Sequence, residues 1–195
     1  MSRTHSRVKR IALAFSLACL FAPASRSIAA PATALDLDGK SVDPLTASSG
    51  KVAVLIFVRT DCPVSNRYAP EIQRMIGAYA GKAAFWLVYP DKSTTPGAIR
   101  RHVADYGYKI TALRDTQHAL VKEAQVKITP EAAVFDASQR LVYHGRIDNW
   151  YVDFGRARSA PTTHELDNAI QAALAGKFPS VRVTDAVGCY IADVE

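Results

Sequence analysis

The sequence predicts an α/β protein: a mixed central sheet covered by helices on both faces, with an N-terminal hairpin and a C-terminal tail. Three observations predict it. Val52–Val58 is a continuous apolar, β-branched-rich run, as in a strand buried on both faces. Strand-like and helix-like segments then alternate. Two closely spaced strands and one more helix close the pattern.

Each element has its own signal. Leu35–Lys40 alternates and ends near Asp38-Gly39, which reads as a small hairpin. After the Val52–Val58 strand a helix is expected from Pro63, with Tyr68, Ile72, Met75, Ile76 and Tyr79 at helical spacing and Gly81 as its stop. Ala84–Tyr89 reads as the next strand. Thr95-Pro96 is an N-cap followed by a first-turn proline. Ile99, Val103 and Tyr106 supply that helix's stripe, and Gly107 ends it. Ile110–Leu113 reads as a short strand and Thr116–Ala124 as a short helix. Ala132–Phe135 and Leu141–His144 form the strand pair. Arg146–Pro161 reads as irregular. Thr162 and Glu165 have capping-box spacing before Leu166, Ile170 and Leu174, and Gly176 closes that helix.

The first 34 residues stand apart. Arg3, Arg7, Lys9 and Arg10 precede the apolar run Ile11–Ala22, and small residues follow. This is the make-up of a secretory signal peptide, with cleavage expected after Ala29 or Ala34. A cut after Ala30 would place Pro31 next to it. The run is shorter than the roughly 20 residues a bilayer needs, and no later segment is long enough to span. A lipoprotein reading at Cys19 fits poorly, because Ser16 stands where a large aliphatic is wanted. Residues 35–195 are therefore expected to form a single domain, periplasmic or secreted.

Charge excludes some function classes. The net charge of +6 lies mostly in the leader, since residues 1–34 hold five basic residues and no acid. Removing them leaves 19 basic against 18 acidic residues. The remaining charge gives no reason to expect nucleic-acid or membrane-surface binding. No glycine-rich phosphate loop, Ser-His-Asp order or paired-cysteine zinc spacing appears, and no cofactor is implied.

Cysteine use is more informative. Cys19 leaves with the leader, so Cys62 and Cys189 remain. An exported pair often forms a disulfide. Cys62 sits between a buried strand and the helix beginning at Pro63. Unpaired N–H groups at a helix start favour a thiolate. Arg59 adds positive potential, and Asp61 opposes it if its side chain points at the sulfur. A cysteine so placed suits attack on a disulfide or a peroxide.

These residues carry a resemblance. Phe57–Ser65 (FVRTDCPVS) resembles the active-site loop of thioredoxin-like redoxins and the alkyl hydroperoxide reductase/thiol-specific antioxidant superfamily. Ile128-Thr129-Pro130 resembles the segment whose cis proline faces the active cysteine in that fold. Cys62–Ile72, His144–Asp148 and Gly188–Ile191 look like an exported bacterial subgroup, so the resemblance covers nearly the whole mature chain. It implies a thioredoxin-like fold, Cys62 as the reactive thiol, and a cis Pro130 exposing the Thr129 backbone to substrate.

Departures narrow the reaction. Ser65 replaces the second cysteine of Cys-x-x-Cys. It can donate a hydrogen bond to the thiolate but cannot close a disulfide. Ile56 replaces the buried acid six residues before the cysteine. Leu55 and Arg59 occupy the proline and threonine positions of the peroxiredoxin signature. Three readings of Cys189 stay open: a resolving thiol, half of a static disulfide, or an unpaired thiol. A loop that long would stabilise by roughly 4–5 kcal/mol if closed.

Other candidates carry bland readings beside functional ones. His102, His118 and His164 are expected at the surface. His144, with Cys62 and Cys189, would suit copper if the three converged. Arg146, Asp148, Asn149 and Asp153, with Trp150 and Tyr151, read as a substrate edge or a salt-bridged loop. Arg67 and Glu71 are spaced as an i, i+4 pair. The leading expectation is a thiol-disulfide oxidoreductase with Cys62, Ser65, Thr129, Pro130 and Cys189 at its site. It would act on a disulfide-containing protein or a small thiol, with an extracytoplasmic electron donor. A peroxidase acting on a peroxide and a non-catalytic or copper-handling module are the alternatives.

Overall fold

The strand that the sequence marks most strongly is the centre of the sheet. In the computed structural model, which describes Met1 and residues 31–192, β3 (Val52–Phe57) is buried along its whole length. Its side chains alternate between two cores. Val52, Val54 and Ile56 face one; Ala53, Leu55 and Phe57 face the other. A period of two with both faces covered requires apolar residues at every position. The signal-peptide pattern, Cys19 and the Ala29 cut lie outside the described residues. Ala34, the other expected cut, begins the first strand.

The hairpin is β1 (Ala34–Asp36) and β2 (Ser41–Val42), closed by Asp36 accepting from the Asp38 and Lys40 N–H groups. A short helix, α1 (Pro44–Ala47), follows its Asp43 cap. Beyond β3 come α2 (Pro63–Arg67), α3 (Ala69–Ala78), β4 (Ala83–Tyr89) and α4 (Pro96–Asp105). Then follow β5 (Ala112–Arg114), α5 (Ala119–Ala124), β6 (Ile128–Thr129), β7 (Glu131–Phe135) and β8 (Leu141–Gly145). A two-stranded ribbon, β9 (Tyr151–Asp153) and β10 (Arg156–Ala157), precedes α6 (Glu165–Leu174). The tail ends in β11 (Cys189–Tyr190).

The seven-stranded sheet runs β2-β1-β5-β4-β3-β7-β8. β3, β4 and β5 are parallel, while β7, β8 and β1 join antiparallel. The core on one face joins Ile72 and Met75 of α3, Ile99 of α4, and Leu166, Ala169 and Ile170 of α6. The other holds Leu45 and the α5 residues Leu120, Val121 and Ala124. Each large apolar side chain so buried contributes about 1.5–3 kcal/mol.

Several expectations are corrected. The helix from Pro63 is two pieces meeting at Tyr68, because Pro70 has no N–H to offer the Asn66 carbonyl. The last short helix before the strand pair starts at Ala119, not Thr116. Asp115 accepts the Val121 N–H at 2.8 Å, and His118 sits at φ 56°. The irregular stretch contains the β9–β10 ribbon. No capping box forms at Thr162–Glu165: Thr162 accepts from Asn149, and Glu165 is taken by Arg146 and Thr163. Leu174 is exposed, and Ala173 packs inward in its place. Glu71 pairs with Arg74, not Arg67.

The histidine expectation fails for two residues. His102 lies three positions after buried Ile99, on the inward face of α4, and is itself buried. His118 is buried and bonded to the Pro90 carbonyl. His164 is exposed at the start of α6.

The tail folds back across the sheet. His144 N–H donates to Arg182 O, and Thr184 N–H donates to His144 O. This approach requires Gly145, at φ 144°: a Cβ there would lie 2.2 Å from Thr184 Oγ1 and 2.5 Å from its carbonyl oxygen. We therefore expect Gly145→Ala to destabilise the protein by about 1–3 kcal/mol. Urea unfolding measures this; an unchanged midpoint would contradict the close packing of the tail.

Candidate active site

Cys62 is the residue immediately before α2. β3 delivers the chain into the turn, Val58 N–H bonds Val88 O, and Pro63 opens the helix without sacrificing a hydrogen bond. The sulfur is fully buried. Its thiol donates to Thr129 O at 3.2 Å. Thr129 ends β6, and its peptide bond to Pro130 is cis.

Cys189 arrives from the tail. β11 pairs antiparallel with β6, with Cys189 opposite Thr129 and Tyr190 opposite Ile128. Thr129 Oγ1 donates to Cys189 O, and Ile191 N–H donates to Lys127 O. The Cys189 thiol then lies 2.6 Å from the Cys62 sulfur. The two residues that the sequence leaves 127 positions apart are thus in direct contact.

Gly188 is the condition for that contact. A Cβ on it would lie 2.0 Å from Thr129 O, the same carbonyl that receives the Cys62 thiol. Gly188 and the Cys62 thiol thus pack on the same carbonyl oxygen, and only a glycine fits there.

The two sulfurs differ in acidity. Burial raises the Cys62 pKa. The Cys189 thiol, the Ser65 hydroxyl and the Ser65 and Val64 N–H groups, all placed to favour the thiolate, outweigh it, so Cys62 is held below its ordinary value. Cys189 is pushed up to about 12 by burial and by proximity to Cys62. Ser65 Oγ is buried and makes no hydrogen bond in the thiol form, so its proton is available to a Cys62 thiolate.

The surrounding charges are committed. Asp61 grips Arg59 in a two-pronged pair, at 3.1 and 2.9 Å, and Asp91 lies 3.9 Å from the same guanidinium. Arg59 and Asp61 act on Cys189 with opposite sign. Arg59, Pro90, Asp91, His118 and Ile191 line a cavity of about 260 Å³ beside the turn.

Ser65, Thr129 and Cys189 lie against Cys62, and Pro130 follows Thr129 through the cis bond. His144 does not join them. Its Nδ1 faces Glu131 Oε1 at 3.4 Å. Among the described residues no group of three or more His, Cys, Asp or Glu side chains is arranged to hold a metal ion. The copper arrangement of Cys62, Cys189 and His144 is therefore not assembled. Three members of the Arg146–Asp153 cluster are engaged within the fold: Arg146 pairs with Glu165, Asp148 accepts from Tyr68 Oη at 2.7 Å, and Asn149 ties down Thr162 and Thr163, while Asp153 is exposed.

Two residues escape a reading of the sequence alone. Glu131 is buried and accepts the N–H groups of Lys127 and Ile128, fixing the segment before β6. An acid directly after Pro130 and before an apolar strand is the available signal. Asn66 donates from Nδ2 to Thr60 O, and its own N–H bonds Cys62 O. It clamps the turn on both sides of the sulfur.

Ser65→Ala should raise the midpoint of Cys62 alkylation with pH by about one unit, since one hydrogen bond to the thiolate is lost. Iodoacetamide kinetics in a Cys189→Ser background read it, and an unmoved midpoint would remove Ser65 from the site. Gly188→Val should expel the tail strand, so that Cys189 reacts with a bulky maleimide at least tenfold faster. Equal rates would show that the clash is relieved in another way.

Comparison with known proteins agrees with this architecture. No curated protein matches the sequence. A hypothetical protein from Sinorhizobium meliloti 1021 is similar in structure, with a TM-score of 0.69 at 23% identity, covering 82% of this chain and 88% of that one. An uncharacterized conserved protein from Geobacillus kaustophilus gives 0.70 at 21%, covering 82% and 86%. A secreted Mycobacterium tuberculosis disulfide oxidoreductase, homologous to E. coli DsbE, gives 0.51 at 22%, covering 74% and 94%. These likenesses bear on the fold, which is thioredoxin-like. The sequence itself matches the Redoxin family over residues 23–150, well over half of its length, and the chain belongs to that family.

Proposed function

We propose that this Redoxin-family protein is an exported thiol-disulfide oxidoreductase in which Cys62 attacks and Cys189 resolves. The observation that carries the reading is the opposed sulfur pair: two thiols 2.6 Å apart, one eased toward ionisation and the other held protonated. The attacking thiol is the one that must be a thiolate near neutral pH.

The chemistry balances in two steps. The Cys62 thiolate attacks a substrate disulfide, forming a mixed disulfide and releasing one substrate thiolate, which takes up a proton. Cys189 then gives up its proton and attacks Cys62 Sγ. The second substrate thiolate leaves, and a Cys62–Cys189 disulfide remains. An extracytoplasmic dithiol donor returns both sulfurs to thiols. Ser65 and the first N–H groups of α2 stabilise the Cys62 thiolate, and Thr129 and Pro130 form the wall against which it acts.

Access is part of the mechanism. Cys62 is fully buried with Cys189 upon it. A substrate disulfide reaches it only after the Gly188–Ile191 segment has moved, and return of that segment brings the resolving thiol. The leader's basic and apolar segments support export. No helix among the described residues is long and apolar enough to cross a membrane.

The experiment is reduction of insulin and of glutathione disulfide by the wild type, Cys62→Ser and Cys189→Ser. Cys62→Ser should lose at least 100-fold in rate. Cys189→Ser should accumulate a mixed disulfide on Cys62, visible by intact mass. Equal activity in wild type and Cys62→Ser would overturn the proposal. Fast peroxide consumption through a Cys62 sulfenic acid, without disulfide reduction, would reassign the protein as a thiol peroxidase.

A further inference from the structure

A chain of buried and half-buried polar groups runs from the core to the turn that carries Cys62. Tyr89 Oη lies 2.9 Å from His102 Nδ1. His102 Nε2 lies 2.8 Å from Asn66 Oδ1. Asn66 Nδ2 donates to Thr60 O at 3.1 Å, and Asn66 N–H donates to Cys62 O at 3.0 Å. Groups on β4, α4, α2 and the turn are thereby joined in series.

The donors and acceptors are fixed by the far end. Thr60 O only accepts, so it must face the Asn66 NH₂ group, which turns Oδ1 toward His102. Oδ1 only accepts, so His102 carries its proton on Nε2. Nδ1 is then the acceptor, and Tyr89 must donate. The ring sits in an aromatic box, with centroids 5.7 Å from Tyr89, 4.7 Å from Tyr106 and 6.1 Å from Tyr108. Burial there favours the neutral imidazole, the state the series needs.

We propose that His102 is a positioning residue for Cys62, acting through Asn66 to hold the Thr60–Cys62 turn against the start of α2. The Cys62 thiolate draws on the Val64 and Ser65 N–H groups and on the Ser65 hydroxyl. Those contacts depend on where the turn leaves the sulfur. The Asn66 side chain sets this by holding Thr60 O, next to the α2 backbone bond from Asn66 N–H to Cys62 O. His102 in turn locks the amide in the orientation that presents N–H groups to Thr60. Neither His102 nor Asn66 touches a substrate. Their effect is on the acidity of a sulfur they do not contact.

This rests on Cys62 being the reactive thiol, but its test needs no turnover. The pH profile of Cys62 alkylation is measured by iodoacetamide in Cys189→Ser protein, with folding followed by far-UV circular dichroism and thermal melting. His102→Phe keeps the ring in its box and removes both hydrogen bonds. Asn66→Ala removes the side-chain bond to Thr60 O, leaves the backbone bond to Cys62 O in place, and does not depend on the core tolerating a new ring. Both should raise the midpoint by about 0.5–1 pH unit, the scale of one hydrogen bond. His102→Gln, whose amide can still donate to Asn66, should recover at least half of that shift. Midpoints within about 0.2 unit of the parent in folded Asn66→Ala, well below the scale of one hydrogen bond, would overturn the proposal. So would a raised midpoint in Asn66→Ala with none in folded His102→Phe. Failure of disulfide reduction with these shifts intact would fall on the proposed reaction, not on the positioning role.

Discussion

The pairing of Cys189 with Thr129 is the contact on which the rest of the site depends. β6 and β11 have only two residues each, yet their register decides which sulfur Cys62 meets. A shift of one residue would turn Cys189 to the opposite face and bring Gly188 or Tyr190 into its place. Gly188 permits the approach, Thr129 bonds both cysteines, and Ile191 anchors the strand in the second core. The tail thus belongs to the candidate site although it lies outside the central sheet.

From that contact follows an asymmetry of charge. A helix start and a serine favour ionisation at Cys62, while Cys189, lodged against it, resists ionisation. Two equivalent thiols would give no direction to exchange. In the proposed reaction the attacking and resolving roles are separated by surroundings, without the Cys-x-x-Cys spacing that supplies both sulfurs from one turn. Ser65 occupies the position where that second cysteine would stand, and its buried, unpartnered hydroxyl can serve a thiolate but cannot form a bridge. Arg59, the only cation on the turn, is neutralised by Asp61 and Asp91 and so contributes little net field.

Much of this is legible in the sequence, for definable reasons. Val52–Val58 reads as a central strand because burial on both faces leaves no polar position. Thr95-Pro96 reads as a helix start because cap and first-turn proline act locally, and Thr95 Oγ1 does accept the Ala98 N–H. The convergence of Cys62, Ser65 and Thr129-Pro130 comes from resemblance, since nothing local brings residues 67 positions apart together. What stays hidden is long-range. Thr162 and Glu165 have the spacing of a capping box, but Asn149 and Arg146 compete for them successfully. His102 reads as a surface residue because imidazole is polar. Its place on the Ile99 face of α4 is the better guide, and its partners Tyr89 and Asn66 come from other elements. The tail strand carries no periodic signal at all, because two residues are too few to show one.

The central claim is that the tail holds Cys189 against Cys62. It is tested most directly by peptide mass mapping of the purified protein after mild oxidation, under non-reducing conditions. The account predicts one intramolecular bridge linking the peptides that carry Cys62 and Cys189, formed in high yield at low protein concentration. Two free thiols under those conditions, or a bridge only between separate molecules, would contradict it.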